Sequence, residues 1–169
     1  LKRLKNYFTK FELALWLFSV TLITCAFLVF DGSSYLTLIA SLIGVSAILL
    51  NSKGNPIGQG IMIIFSIIYA VISYGYAYYG EMITYVGMTG PMAVMALVAW
   101  LKNPFEGEEN QVAVAEITPL KLTIVSALTV IVTVIFYFIL KYFNTANLVL
   151  STFSVLTSFF AASLTFLRS

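Results

Sequence analysis

The sequence contains no histidine, a single cysteine, and charged residues that make up only 9% of its 169 positions. Without an imidazole, histidine-based metal sites and Ser-His-Asp or Cys-His catalysis are excluded. Cys25 cannot form an intrachain disulfide because the sequence holds no second cysteine. The low charge also excludes a soluble domain, since a chain of this length would expose too much surface for so few polar side chains.

The chain consists instead of six long apolar stretches. Hydrophobic residues make up 60% of it, and the mean hydropathy is +0.99. Stretches of about 20 residues match a bilayer core roughly 30 Å thick when they form helices. They cover residues 13–30, 35–50, 57–79, 82–101, 122–140 and 147–167. The sequence therefore predicts an all-α, polytopic transmembrane helical bundle of about six helices.

The first apolar stretch follows a basic segment, as the apolar part of a signal peptide would. No small-residue cleavage site follows it, because Phe-Leu-Val-Phe runs directly into Asp31. We therefore expect a retained anchor helix.

The basic residues predict the orientation in the membrane. If the N-terminus is cytoplasmic, eight of the nine Lys and Arg residues lie inside and only Lys141 lies outside. The eight are Lys2, Arg3, Lys5, Lys10, Lys53, Lys102, Lys121 and Arg168. We expect a multi-pass protein of the cell membrane that contacts lipid, and the net charge of +2 reflects this bias between loops rather than affinity for nucleic acid.

The only long polar stretch is residues 102–121, which carries four glutamates. It leaves four apolar stretches before it and two after it. We interpret it as a cytoplasmic linker between two halves of the protein. The alternative is a solvated loop without such a role.

Polar side chains recur at helical spacing in three apolar stretches, although a bilayer makes unpaired polar groups costly. Such a spacing places them on one face of each helix. The sets are Gln59, Ser66, Tyr69, Ser73 and Tyr76 in the third stretch, Ser126, Thr129, Thr133 and Tyr137 in the fifth, and Asn144, Asn147, Ser151, Ser154 and Ser158 in the sixth.

These polar faces predict a neutral, hydrogen-bonding cavity for an uncharged or weakly charged solute. The candidate substrate-binding residues are Gln59, Ser66, Tyr69, Ser73, Asn147, Ser151 and Ser154. The alternative is that the hydroxyls only join helices to one another. No Lys, Arg or Asp lies within a predicted span, which favours facilitated, uncoupled movement over ion-driven pumping.

The fourth apolar stretch contains a proline and begins beside a glutamate. Pro91, preceded by Gly87 and Gly90, predicts a kink. We interpret Glu81 as a helix N-cap at the outer interface, with a proton acceptor as the alternative.

Short motifs in this region have the order and spacing of a known family. They are Tyr79-Gly-Glu-Met82, Gly90-Pro-Met92, Trp100 and the earlier Asn55-Pro-Ile-Gly58. With them the chain resembles the nicotinamide riboside transporters of the PnuC type, part of a wider vitamin transporter family. The resemblance covers residues 36–169.

The resemblance implies two three-helix bundles joined by a linker helix, with an extra N-terminal helix. Residues 13–30 would then be the extra helix, 35–101 the first bundle, 122–140 the linker helix, and 147–167 the start of the second bundle. The chain departs from the family pattern at Ala93, where Gln is usual, and in lacking the Trp-x-x-Trp and Asn of the last two helices. We therefore expect that the C-terminal part is missing from this sequence.

The implied function is facilitated, uncoupled uptake of nicotinamide riboside or a similar flat vitamin-type nucleoside. Transport of thiamine or riboflavin and a non-transporting membrane partner subunit are the alternatives. We expect no enzymatic activity, no cofactor and no metal, and the chain could assemble as a homo-oligomer.

Overall fold

The computed structural model describes residues 7–30, 32, 34–105, 108–145 and 147–168. Within them, six helices are long and apolar enough to cross a membrane. They are α1 (Lys10–Phe30), α2 (Tyr35–Ser52), α3 (Pro56–Gly75), α4 (Tyr79–Leu101), α5 (Pro119–Tyr142) and α6 (Leu148–Leu167). The predicted all-α bundle of about six transmembrane helices is confirmed.

Two helices begin at a polar cap followed by proline. Asn55 precedes Pro56, and its side-chain oxygen accepts a hydrogen bond from the Ile57 N–H at 2.9 Å. Thr118 caps α5 in the same way, ahead of Pro119. Proline suits the first helical position because the N–H that it lacks would have no partner in the helix.

The turn between α3 and α4 lies earlier than the hydropathy predicts. Ala77 adopts a left-handed φ of 59°, so the helix ends at Gly75 instead of continuing to residue 79. Tyr78 takes the N-cap position of α4. The interpretation of Glu81 as an N-cap is therefore wrong, because Glu81 lies within the first turn of the helix.

The helices pack in an order that leaves α1 at the edge. Helix α1 packs on α2, α2 on α3, α3 on α4, and α4 on α6, which also packs on α5. No residue of α1 is buried. The apolar core lies between α4, α5 and α6, where the buried side chains are Met88, Met92, Phe136, Leu140 and Val155.

A two-stranded antiparallel hairpin occupies part of the segment predicted to be a linker. Its strands are β1 (Pro104–Phe105) and β2 (Glu108–Val112). The Val112 N–H donates to the Gly54 carbonyl at 2.9 Å, and the Arg168 guanidinium donates to the Ala113 carbonyl at 3.3 Å. The hairpin therefore joins the α2–α3 turn and the end of α6 at one end of the bundle.

Five of the six described basic residues lie at this same end, whereas Lys141 lies at the opposite end. The five are Lys10, Lys53, Lys102, Lys121 and Arg168. This arrangement agrees with the predicted orientation, which assumes that successive helices cross the membrane in alternating directions. Which end faces the cytoplasm stays a prediction, as does the division into two bundles and a linker helix.

The predicted distortion of α4 takes the form of one π-helical turn, Tyr85–Thr89. The Gly90 N–H donates to the Tyr85 carbonyl, five residues earlier. The next residue, Pro91, has no N–H to donate and its ring crowds the preceding turn, so regular α-helical bonding is interrupted here. Such π turns are frequent at functional sites.

Cysteine labelling tests the orientation. In a Cys25→Ser background, we expect Gly32→Cys and Asn144→Cys to react with an impermeant maleimide added outside intact cells. Val114→Cys, at an 82% exposed position beyond the hairpin, should react only after permeabilisation. Labelling of Val114→Cys in intact cells would show that the protein has the opposite orientation in the membrane.

Candidate functional site

A cavity of about 460 Å³ lies between α2, α3, α4 and α6, and we call it the main cavity. Its wall combines aromatic rings, thioethers and uncharged polar groups. The aromatic residues are Phe65 and Tyr85, the methionines are Met62, Met88 and Met92, and the polar residues are Asn51, Gln59, Thr89, Ser158 and Thr165. The lining contains no Lys or Arg.

Two amide side chains in this wall carry buried polar atoms that have no hydrogen-bond partner within the described part of the chain. They are Nε2 of Gln59, which is only 3% exposed, and Oδ1 of Asn51. The backbones of α2 and α3 approach each other closely beside these side chains, since a Cβ added at Gly58 would lie 2.7 Å from the backbone nitrogen of Asn51. An unsatisfied buried polar group costs about 1–3 kcal/mol, so such groups are expected to meet a ligand.

Three aromatic rings form one wall. The centroids of Phe65 and Tyr69 are 4.7 Å apart, and those of Tyr69 and Tyr85 are 5.1 Å apart. Phe65 and Tyr85 line the cavity, whereas Tyr69 packs behind them. Rings fixed in this way offer a rigid apolar face to a flat ligand.

A smaller cavity of about 150 Å³, here the side cavity, continues toward the end where α4 begins. Glu81, Thr84, Ser151 and Ser154 contribute its polar wall. Both cavities share Tyr85, Met88, Thr89 and Ser158. The π turn therefore contributes residues to both, and the two cavities adjoin across it.

The structure brings together some of the candidate residues predicted from sequence. Gln59 lines the main cavity, and Ser151 and Ser154 line the side cavity. Tyr69 supports the aromatic wall. Asn147 is exposed, with a left-handed φ of 54° just before α6.

The remaining two candidates, Ser66 and Ser73, are buried outside both cavity walls. The Ser66 hydroxyl donates to the Ile63 carbonyl at 2.8 Å. A Cβ added at Gly90 would lie 3.0 Å from this oxygen, so Ser66 marks the close contact of α3 with α4.

Sequence reasoning missed Asn51, Phe65 and Tyr85 as lining residues, and missed the inward position of Glu81. Asn51 lies in a segment rich in helix breakers, and Phe65 is one of many apolar residues in α3. One signal was available for Phe65, because it lies one helical turn before Tyr69 on the polar face.

Comparison with known proteins identifies the family. A family profile described as "Nicotinamide mononucleotide transporter" matches residues 34–169. The chain belongs to the nicotinamide mononucleotide transporter family. The match begins at the start of α2, so the peripheral helix α1 precedes it.

A solved structure agrees with this assignment. The fold is similar to that in the crystal structure of the vitamin B3 transporter PnuC, with a TM-score of 0.76 and 26% sequence identity. The alignment covers 95% of this chain and 69% of that one. A search of curated proteins found no significant match. The resemblance noted from the sequence motifs is confirmed, and membership of this transporter family makes the chain a multi-pass membrane transporter rather than an enzyme.

The Nε2 atom of Gln59, which has no partner among the described residues, predicts an unusual effect on stability. Gln59→Leu should leave the thermal unfolding temperature of the purified protein unchanged or raise it, because it removes a buried group without a partner. Trp100→Phe is the control, since Trp100 Nε1 donates to the Thr165 carbonyl at 2.8 Å. This control should be destabilised by about 1 kcal/mol or more. Equal destabilisation by both changes would contradict the assignment of an unpaired amide.

Proposed function

We propose that the chain mediates facilitated uptake of a flat vitamin-type nucleoside, with nicotinamide riboside as the substrate that fits best. The observation that carries this proposal is the main cavity, whose wall combines aromatic rings with two amide side chains that each carry one buried polar atom without a partner among the described residues. Its volume of about 460 Å³ lies in the range typical of small-molecule sites. The rings suit stacking on a pyridine, and the amides suit hydroxyl and carboxamide groups.

A nucleoside fits better than the mononucleotide in the family's description. Phosphate is usually recognised by Arg, Lys or clustered backbone N–H groups. Neither cavity wall contains a basic residue, and Glu81 in the side cavity would repel an anion. The substrate should therefore enter without its phosphate.

Of the seven candidate residues, we propose Gln59 as a contact in the main cavity and Ser151 and Ser154 as contacts in the side cavity. Tyr69 would act indirectly by holding Tyr85. We assign Ser66 and Ser73 to helix packing, and Asn147 no direct contact with substrate in either cavity.

The alternative of a non-transporting partner subunit is less well supported. That hypothesis predicts that the polar faces pack against one another without a cavity. Gln59 and Ser154 face open cavities instead. We place the protein in the cell membrane with a cytoplasmic N-terminus, and its assembly as a homo-oligomer stays a prediction.

The aromatic wall gives a direct test of substrate binding. Tyr85→Ala should weaken nicotinamide riboside uptake roughly tenfold or more, because stacking on an aromatic side chain contributes about 1–3 kcal/mol per base. Tyr69→Ala should have a smaller but clear effect. Tyr78→Ala is the control, since this side chain is 54% exposed and outside both cavities.

Uptake should be measured in liposomes at several substrate concentrations, with unlabelled thiamine and riboflavin as competitors. Equal uptake by the Tyr85→Ala and Tyr78→Ala variants would contradict the aromatic site. Stronger competition by thiamine or riboflavin than by unlabelled nicotinamide riboside would show that the stronger competitor is the preferred substrate.

Transport should be independent of ion gradients. Away from their ends the helices carry no Lys, Arg or Asp, and charged groups at such positions usually carry the coupling ion or proton. Glu81, in the first turn of α4, is the one carboxylate among the described residues of the two cavity walls. In liposomes with the membrane potential clamped at zero, substrate should reach equal concentrations on both sides. Accumulation above that level, driven by an imposed pH or Na⁺ gradient, would contradict uncoupled transport.

A further inference from the structure

Of the residues that the structure describes, Glu81 is the one acidic residue in the walls of the two cavities. Its Oε2 atom is buried and has no hydrogen-bond partner among the described residues. The one ion pair within the described residues joins Lys53 to Glu12, at 2.9 Å, at the other end of the bundle. A carboxylate oxygen removed from water without a partner is strongly unfavourable, and such groups are concentrated at functional sites.

The surroundings of Glu81 are suited to a cation. The side cavity is too small for a whole nucleoside, but it adjoins the main cavity through Tyr85 and Ser158. Tyr85 lies four residues after Glu81 and turns its ring toward the same space. A carboxylate and an aromatic face side by side attract a positively charged flat ring, by direct charge attraction and by cation–π interaction.

We infer that Glu81 is a specificity-determining residue that acts as counterion to a cationic pyridinium ring. The inference rests on the proposed function, because it assigns a role to this residue in the same binding site. A pyridine ring bonded through nitrogen to ribose carries one positive charge. Its reduced dihydropyridine form has almost the same shape and no charge. Glu81 therefore selects the oxidised nucleoside over the reduced one.

The experiment compares the two forms of one substrate. Full-length protein in liposomes is assayed with nicotinamide riboside and with its reduced, neutral form, at zero membrane potential. The wild-type protein should bind the cationic form roughly tenfold more tightly, as expected for one charge pair shielded from water. The variant Glu81→Gln keeps the shape of the side chain and removes its charge, and it should abolish this preference.

Two measurements keep the inference open to refutation. Glu81→Asp retains the charge and should retain the preference, even if overall binding weakens. Binding of the neutral form to Glu81→Gln, unchanged within about twofold, reports that this variant is folded. A wild-type protein that does not distinguish the two forms overturns the inference without any variant.

The possible failures are distinguishable. Transport of nicotinamide riboside with an unchanged preference in Glu81→Gln overturns the role of Glu81 and leaves the proposed function intact. If Glu81→Gln loses binding of the cationic and the neutral form equally, the inference is overturned as well, because the Glu81 side chain would then support packing and not attract the charge of the substrate. Failure of the wild-type protein to transport either form overturns both the inference and the proposed function.

Discussion

Within a bilayer the protein must satisfy its own polar groups, because the hydrocarbon core offers no water to bond them. The helical backbone does so residue by residue, and most hydroxyls follow by bonding to a carbonyl of the preceding turn. Thr129 and Thr133, for example, donate to such carbonyls at 2.8 Å and 2.7 Å. Side chains that break this rule are therefore the informative ones. Among the described residues, the buried side-chain atoms without a partner belong to Asn51, Gln59, Glu81 and Thr145. The first three line the two cavities.

The need to satisfy backbone hydrogen bonds also explains the π turn of α4, which contributes side chains to both cavities. Pro91 removes a backbone donor from the helix, and the backbone before it adopts a longer hydrogen-bonding repeat. This local change occurs at Tyr85–Thr89, the segment whose side chains belong to both cavity walls. The distortion of α4 and the contribution of α4 to both cavity walls thus lie in one short segment, Tyr85 to Pro91.

The number of helices could be predicted from sequence because length and hydropathy alone decide whether a segment spans a bilayer. The helix start at Asn55 was also readable, since cap and proline chemistry is local. The hairpin before α5 was not, because this segment also bonds to Gly54 and Arg168, which are distant from it in the sequence. The cavity wall was predicted only in part. Gln59 and Ser154 stand out against an apolar background. The one signal for Phe65 is its position one helical turn before Tyr69, because apolar residues in a lipid-facing helix do not by themselves indicate which face turns inward.

We propose that a flat nucleoside binds between the aromatic wall and the amide side chains of Gln59 and Asn51. The most direct test is an experimental structure of the full-length protein with nicotinamide riboside bound. We expect the pyridine ring to lie against Tyr85, close to Glu81, and the ribose hydroxyls to lie within hydrogen-bond distance of Gln59. A ligand bound elsewhere, or the same cavity filled by side chains in the presence of saturating ligand, would contradict it.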